Sequence, residues 1–214
     1  MQVFKPNPLL QGGTLNVECA SQSFCGAFSG YGDVFTYDGN TWSSGSHLVD
    51  EQVGGNPGTY IGQMSCPVAG YCMVTGKNMD TPFFYIYSNG KWSQSRLQPS
   101  FDILSLSCVN SSYCMAGGTN GQVYMYSNGN WSQVSDLNLP SGNSYGAYYV
   151  GVTCVPDATV DLCAAGGSDT WIYFNGSWTH ETMGENGQVS IECTKPLDCI
   201  LQDLTTNNLY ELSY

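Results

Sequence analysis

ILSLSCVNSSYCMAGGTNGQVYMYSNGNWSQV, residues 103–134, holds one complete unit of the fold. Ile103 to Cys108 is apolar and alternating, and it ends at a cysteine. The short turn 109–112 leads into Tyr113-Cys114-Met115-Ala116, and residues 117–121 form a glycine-rich loop. Gln122-Val123-Tyr124-Met125-Tyr126 is strongly β-forming, and Asn128-Gly129 separates it from Trp131-Ser132-Gln133-Val134. Asn-Gly between alternating hydrophobic residues is a hairpin signal, because a type I′ turn needs positive φ at both central positions. The unit reads as four antiparallel strands, A to D.

The same phrase recurs along the chain at a spacing of roughly 40 to 50 residues, a period that points to a propeller, a solenoid or another array. Its cysteine pairs are Cys19/Cys25, Cys66/Cys72, Cys108/Cys114, Cys154/Cys163 and Cys193/Cys199, which use all ten cysteines. Four of the pairs are followed by a Tyr and, five residues later, a Trp: Tyr37/Trp42, Tyr87/Trp92, Tyr126/Trp131 and Tyr173/Trp178. The hairpin turn recurs as Asn89-Gly90 and Asn175-Gly176, with Asp38-Gly39 as the first-repeat version. Tyr and Trp then face each other across the C–D hairpin, where aromatic pairs stabilise a sheet, so these tryptophans are scaffold and not sugar platforms. Two residues before each first cysteine the chain is apolar (Val17, Met64, Leu106, Val152, Ile191). One residue before it the chain is polar (Glu18, Ser65, Ser107, Thr153, Glu192). A strand with two different faces produces that alternation.

The fifth copy stops after a C-like strand, Leu209-Tyr210-Glu211-Leu212, with no Asn-Gly turn and no Trp. Met1-Gln2-Val3-Phe4 reads like the end of a strand D. The expectation is one all-β domain over residues 1–214: a five-bladed β-propeller of four-stranded antiparallel blades with one disulfide inside each blade. The N-terminal strand completes the last blade and closes the ring, which removes the open edge of a linear array.

Composition narrows the function classes. Only 10% of residues are charged, and 17 acids against five bases give a net charge of −12. Nucleic-acid binding needs clustered Lys and Arg, so it is excluded. No apolar run reaches membrane-span length, and membrane insertion is not expected. No basic region followed by an apolar segment opens the chain, so the reading places any export signal before Met1 and already removed. Low charge with many hydroxyls and amides suits a secreted protein, including one facing an acidic environment. Zinc prefers C-x2-4-C spacings that converge four ligands, whereas four of these pairs are C-x5-C and His47 and His180 stand alone. The pairs therefore read as disulfides of an extracellular or surface protein, with no metal and no cofactor. Each closes a loop of about seven residues, worth roughly 2.4 kcal/mol by chain entropy. Asn110, Asn130 and Asn175 head N-x-S/T triplets and are candidate glycosylation sites.

The cysteine pair followed by Y-x-N-G-x-W-S resembles β-propeller repeats of secreted microbial proteins. The Y-x4-W phrase is also similar to the Asp-box of sialidase-like propellers, S/T-x-D-x-G-x-T-W. Thr36-Tyr37-Asp38-Gly39-Asn40-Thr41-Trp42 comes nearest but is one residue short, and the other copies carry Asn for Asp. That box is a structural turn in its family, so the resemblance implies no activity. In length and blade number the chain also looks like the tachylectin type of five-bladed lectin, which binds amino sugars once per blade. Its sugar-contacting residues have no match here, and a shared fold does not carry a shared function.

In such a blade the A–B and C–D turns share one end, and the B–C and D–A loops share the other. The first set is nearly constant in this chain and the second varies, which directs a binding site to the variable loops. Those loops offer Tyr31 and Asp33, Asn78 and Asp80, Asn120, Ser168 with Asp169 and Trp171, and Asn207 as candidate ligand contacts. Trp171 stands outside the Y-x4-W framework. Tyr, Trp, Asn and Asp grip sugars by ring stacking and hydrogen bonds, although Asp, Asn and Gly also occur wherever turns need them. The two long D–A loops add Tyr60, Tyr145, Tyr148 and Tyr149.

Catalysis is not expected. A five-bladed glycosidase needs converging acids with one pKa raised, and Glu18, Glu192, Asp33, Asp80 and Asp169 have no neighbouring His or Arg in sequence to tune them. Sialidase chemistry wants an arginine cluster, and Arg96 is the only arginine. The reading is a non-catalytic binding module whose partners are glycans or a surface protein. The rival is a protein-interaction or structural component of a cell surface, filament or virion, and a glycosidase-like enzyme comes third.

Overall fold

The computed structural model describes residues 15–48, 59–78, 81–95, 103–118, 121–136, 150–155, 162–166, 170–174, 176–181, 189–195, 198–203 and 207–213. Every regular element among them is a β-strand. The chain divides into two compact units, Met1–Ser100 and Phe101–Tyr214.

The first unit holds two antiparallel four-stranded sheets. Sheet 1 runs in chain order through β1 (Leu15–Ser21), β2 (Phe24–Ser29), β3 (Asp33–Tyr37) and β4 (Ser46–His47). Sheet 2 runs through β5 (Thr59–Val68), β6 (Tyr71–Asn78), β7 (Thr81–Ser88) and β8 (Lys91–Gln94). The second unit holds three sheets. Sheet 3 contains β9 (Ile103–Asn110), β10 (Tyr113–Gly118), β11 (Gln122–Ser127) and β12 (Asn130–Asp136). Sheet 4 contains β13 (Gly151–Cys154), β14 (Leu162–Gly166), β15 (Thr170–Phe174) and β16 (Ser177–Glu181). Sheet 5 has three strands among the described residues, β17 (Val189–Lys195), β18 (Asp198–Asp203) and β19 (Leu209–Ser213). The expected N-terminal strand Met1–Phe4 lies outside the described residues.

In sheets 1, 3 and 4 the second strand is the buried one. β2, β10 and β14 are buried along their whole length, on both faces. This explains why they read as short continuous apolar runs and not as alternating strands.

Four disulfides form as the repeats imply: Cys19–Cys25, Cys66–Cys72, Cys108–Cys114 and Cys154–Cys163. Their Cα atoms stand 3.9–4.1 Å apart, as cross-strand neighbours on the first two strands of each sheet. Cys199 is also disulfide-bonded and faces Cys193 in register. The sulfurs do more than hold a turn, because they sit between sheets. A Cβ added to Gly26, the residue after Cys25, would come within 2.5 Å of Met64 Sδ and 2.8 Å of Cys66 Sγ. Met115, the residue after Cys114, shares a buried cluster with Cys154 and Cys163 of sheet 4. Ala164, after Cys163, shares another with Cys199 of sheet 5. The sulfurs of sheets 2, 4 and 5 are thus knobs packed on the preceding sheet of the same unit.

The aromatic pairs lie in the same layer. The Tyr and Trp rings of the C–D hairpins are 5.2–5.4 Å apart in all four copies. Tyr87 of sheet 2 stacks on Phe24 of sheet 1, and Tyr173 of sheet 4 stacks on Tyr113 of sheet 3, each at 6.1 Å. Polar contacts fix the inner strands. The Ser107 hydroxyl accepts the Cys154 N–H at 2.9 Å. Ser105 Oγ accepts the Val152 N–H at 2.7 Å and donates to the Val152 carbonyl at 3.1 Å. Ser107, the polar residue before Cys108, therefore has a use that the alternation alone did not show.

The terminal sheets break the pattern on one face each. Val17 is 53% exposed, while its counterparts Met64, Leu106 and Val152 are 3–8% exposed. Ile200 is 49% exposed, while Met73, Met115 and Ala164 are at most 1% exposed. Leu209 is exposed as well.

The Asn-Gly turns form with positive φ at both positions, at Asn89-Gly90 and Asn128-Gly129. The first repeat differs from the expected Asp38-Gly39 turn. Its central residues are Gly39 and Asn40, closed by the Asp38 N–H bonding the Thr41 carbonyl, and only Gly39 has positive φ. Asp38 instead precedes the turn, and its carboxylate accepts the amides of Asn40 at 2.8 Å and Thr41 at 2.7 Å. Those amides hold the Asp38 carboxyl below the usual aspartate range. Because the folded value is the lower one, this contribution is present above the unfolded-state pKa and is lost as pH falls through the folded value. An NMR titration should therefore place the Asp38 carboxyl transition below that of an unstructured aspartate, and Thr41→Pro should move it back. For the sheet-to-sheet packing, Gly26→Val should destabilise the protein by about 1–3 kcal/mol in urea unfolding, because the added methyls meet Met64 and the Cys66 sulfur.

Candidate functional site

The variable connections lie between the second and third strands of each sheet, at the end opposite the disulfides. In sheet 1 the β2–β3 connection is ordered by Ser29, which is buried. The Ser29 hydroxyl accepts the amides of Tyr31 and Asp33, each at 3.3 Å, and donates to Asp33 Oδ2 at 3.0 Å. Asp33 Oδ1 stands 2.9 Å from His47 Nδ1. The two residues are register partners on β3 and β4, so the sheet itself brings them together. The Leu48 N–H bonds the Gly32 carbonyl at 3.0 Å, which joins the start of the next connection to this loop. Tyr31 projects as an exposed ring. Sequence reasoning selected Tyr31 and Asp33 but left His47 standing alone. Its signal was present only in the pairing of β3 with β4, which a two-residue strand without a hairpin motif does not announce.

At the same end, one backbone bond in each unit joins the first sheet to the chain entering the next. The Ile61 N–H donates to the Gly30 carbonyl in the first unit, and the Val150 N–H donates to the Gly118 carbonyl in the second. A Cβ on Gly117 would strike the Val150 carbonyl. Gly117, near the end of β10, thus has a packing reason, whereas a Cβ on Gly30 would meet nothing.

Trp171 lies on β15 opposite His180, with ring centroids 4.4 Å apart. It is half-buried and packs against the cluster that holds Cys163 and Tyr173. Its place, two residues before the hairpin Tyr, is aromatic in every repeat: Phe35, Tyr85, Tyr124 and Trp171, with Tyr210 in register at the matching site of sheet 5. Trp171 belongs to a second recurrent aromatic position that the Y-x4-W spacing had hidden.

Asn207 is exposed with φ 58° in the connection between β18 and β19. Asn78 ends β6 opposite Thr81, and its side chain lies outside the described residues. Asp80, Asn120, Ser168 and Asp169 also lie outside them. Of the sequons, Asn110 is half-buried and its side-chain oxygen accepts the Ser112 N–H at 2.8 Å. Asn130 is exposed at the start of β12, and Asn175 lies outside the described residues. Glu18 and Glu192, the acids of the enzyme reading, are both exposed on first strands. Among the described residues no three His, Cys, Asp or Glu side chains are placed to hold a metal ion, and no helix is long and apolar enough to cross a membrane.

Solved structures with this arrangement include YCF48 bound to a D1 peptide, at TM-score 0.54 and 14% identity over 98% of this chain and 70% of that one. The fucose-recognising lectin of Aleuria aurantia, a six-bladed β-propeller, matches at TM-score 0.53 and 12% identity over 88% of this chain and 68% of that one. The WD40 repeats of RRP9 match at TM-score 0.59 and 11% identity over 85% and 57%. The chain shares the β-propeller fold. At these identities the likeness is one of fold alone. No family model matches the sequence, and no curated protein sequence matches it.

Proposed function

We propose that this protein is an extracellular, non-catalytic binding module that recognises carbohydrate through the variable loops between the second and third strands of its sheets. The observation that carries the reading is the contrast within sheet 1. The disulfide end of the sheet is a repeated, buried framework, whereas the opposite end presents Tyr31, Asp33 and His47 as an ordered polar and aromatic group. Exposed aromatic rings beside fixed hydrogen-bonding groups suit sugars. The four disulfides agree with an oxidising compartment. The fold is one that the Aleuria lectin uses for fucose, and several weak sites on one scaffold gain from avidity. Asp33, one of the five acids weighed for the enzyme reading, has a histidine beside it that its sequence neighbours did not announce, and its two oxygens are engaged by Ser29 and His47. The reading extends to five blades in one ring, with Met1–Phe4 as the fourth strand of sheet 5. Sheet 5 has three strands among the described residues, and its repeat carries no Asn-Gly turn and no Trp, which supports the reading.

A second reading is a protein-interaction or structural component of a cell surface, filament or virion. The inequality of the loops favours it over a lectin with five identical sites, and YCF48 binds a peptide on the same fold.

A broad glycan array at neutral and acid pH separates the two. Binding to a defined glycan class is expected, and silence across the array overturns the carbohydrate reading in favour of the second. Ring closure is tested by deleting residues 1–4. The melting midpoint should fall by about 2–4 °C for each kcal/mol of lost contact, and an unchanged midpoint refutes closure by this segment.

A further inference from the structure

Whatever recurs in every sheet is explained by the framework, so an ordered polar cluster seen among the described residues only in sheet 1 calls for another explanation. Ser29, Asp33 and His47 form such a cluster. Asp33 lies four residues before Tyr37; the positions four before Tyr87 and Tyr126 hold Phe83 and Gln122, and Asp169, at the matching place before Tyr173, lies outside the described residues. Both Asp33 oxygens are used, one by the Ser29 hydroxyl and one by the imidazole, and Ser29 is itself pinned by two amides. This much polar order is not needed to make the sheet, since sheets 2 and 3 form without it.

The geometry also sets the chemistry of the imidazole. A carboxylate against Nδ1 keeps the proton of a neutral ring on that nitrogen, and the lone pair is then on Nε2. The His47 side chain is 35% exposed, against 16% for Asp33, so the outer part of the pair is the imidazole. Tyr31, 39% exposed, precedes Gly32, and His47 precedes Leu48. Gly32 and Leu48 are hydrogen-bonded to each other, which places the ring and the imidazole on adjoining backbone. An acceptor nitrogen backed by a carboxylate disfavours an anion and favours a hydroxyl donor. An exposed phenol ring favours a ligand with an apolar C–H face.

We propose that His47 is a ligand contact of sheet 1: its Nε2 accepts a hydrogen bond from a sugar hydroxyl while the Tyr31 ring lies against the apolar face of the same sugar. The assignment rests on the carbohydrate reading above and names the polar anchor of one of its sites. Asp33 is then a positioning residue, which acts through the imidazole and does not touch the sugar.

Nitrogen-15 NMR of the intact protein tests this directly. In the free protein the His47 ring should carry its proton on Nδ1, and Nε2 should shift when a glycan selected by the wild type on an array is titrated in. His47→Ala and Tyr31→Ala, each with its disulfides formed, should weaken that glycan about tenfold, the worth of one hydrogen bond or ring contact at ~1.4 kcal/mol. A proton on Nε2 in the free protein overturns the assignment, as does unchanged affinity of His47→Ala, and either result leaves the carbohydrate reading standing. If the wild type binds no glycan, both fall together.

Discussion

Within each unit of this protein, adjoining sheets meet where a disulfide presses against the residue that follows the neighbour's own second cysteine. In the first unit that contact is Gly26 against the Cys66–Cys72 pair, and in the second it is Met115 against Cys154–Cys163. The other regular features depend on this spacing. The hairpin tyrosines stack on Phe24 and Tyr113 because the sheets stand close enough for rings 6.1 Å apart. The inner strands come near enough for Ser107 to reach the Cys154 amide. A local crosslink of this kind stabilises modestly through chain entropy. Its larger effect here is to place a compact, apolar, rigid group at a fixed point between two sheets, where packing is unforgiving.

Much of the fold was legible because repetition averages out local ambiguity. A single Cys-x5-Cys or Asn-Gly is a weak sign, but four copies of the first and three of the second in one repeating frame imply one strand order, and the pairing of Cys114 with Cys108 and of Tyr126 with Trp131 follows it. What stayed hidden was either tertiary or masked by variation. The aromatic place held by Phe35, Tyr85, Tyr124 and Trp171 changes identity at each copy, so a search for identical letters passed over it. The burial of the sulfurs between sheets depends on neighbours that no single repeat contains. The first hairpin turn was misplaced by one residue, because Asp38-Gly39 resembles the Asn-Gly of other copies while Asp38 in fact accepts amides from outside the turn's centre.

The candidate site was legible only by contrast. Tyr31 and Asp33 stood out as variable-loop residues of suitable chemistry, yet nothing in their spacing pointed to His47, fourteen positions after Asp33. Their association depends on strand pairing and on the turn that returns β4 to β3. Ser29 was missed for a related reason: a serine at the end of a strand is unremarkable until its hydroxyl is seen to serve two amides and a carboxylate.

The residue after the second cysteine is not constant across the chain, and this has a consequence for how the repeats can be combined. Gly26 leaves room for Met64 on the adjoining sheet, while the bulkier Met115 shares its cluster with the smaller Val152. Large meets small at both of these seams, so the repeats are not interchangeable in shape although they look so on paper. Setting Met115 against Met64 would crowd a seam, and setting Gly26 against Val152 would leave a void, in interiors where neither is tolerated cheaply.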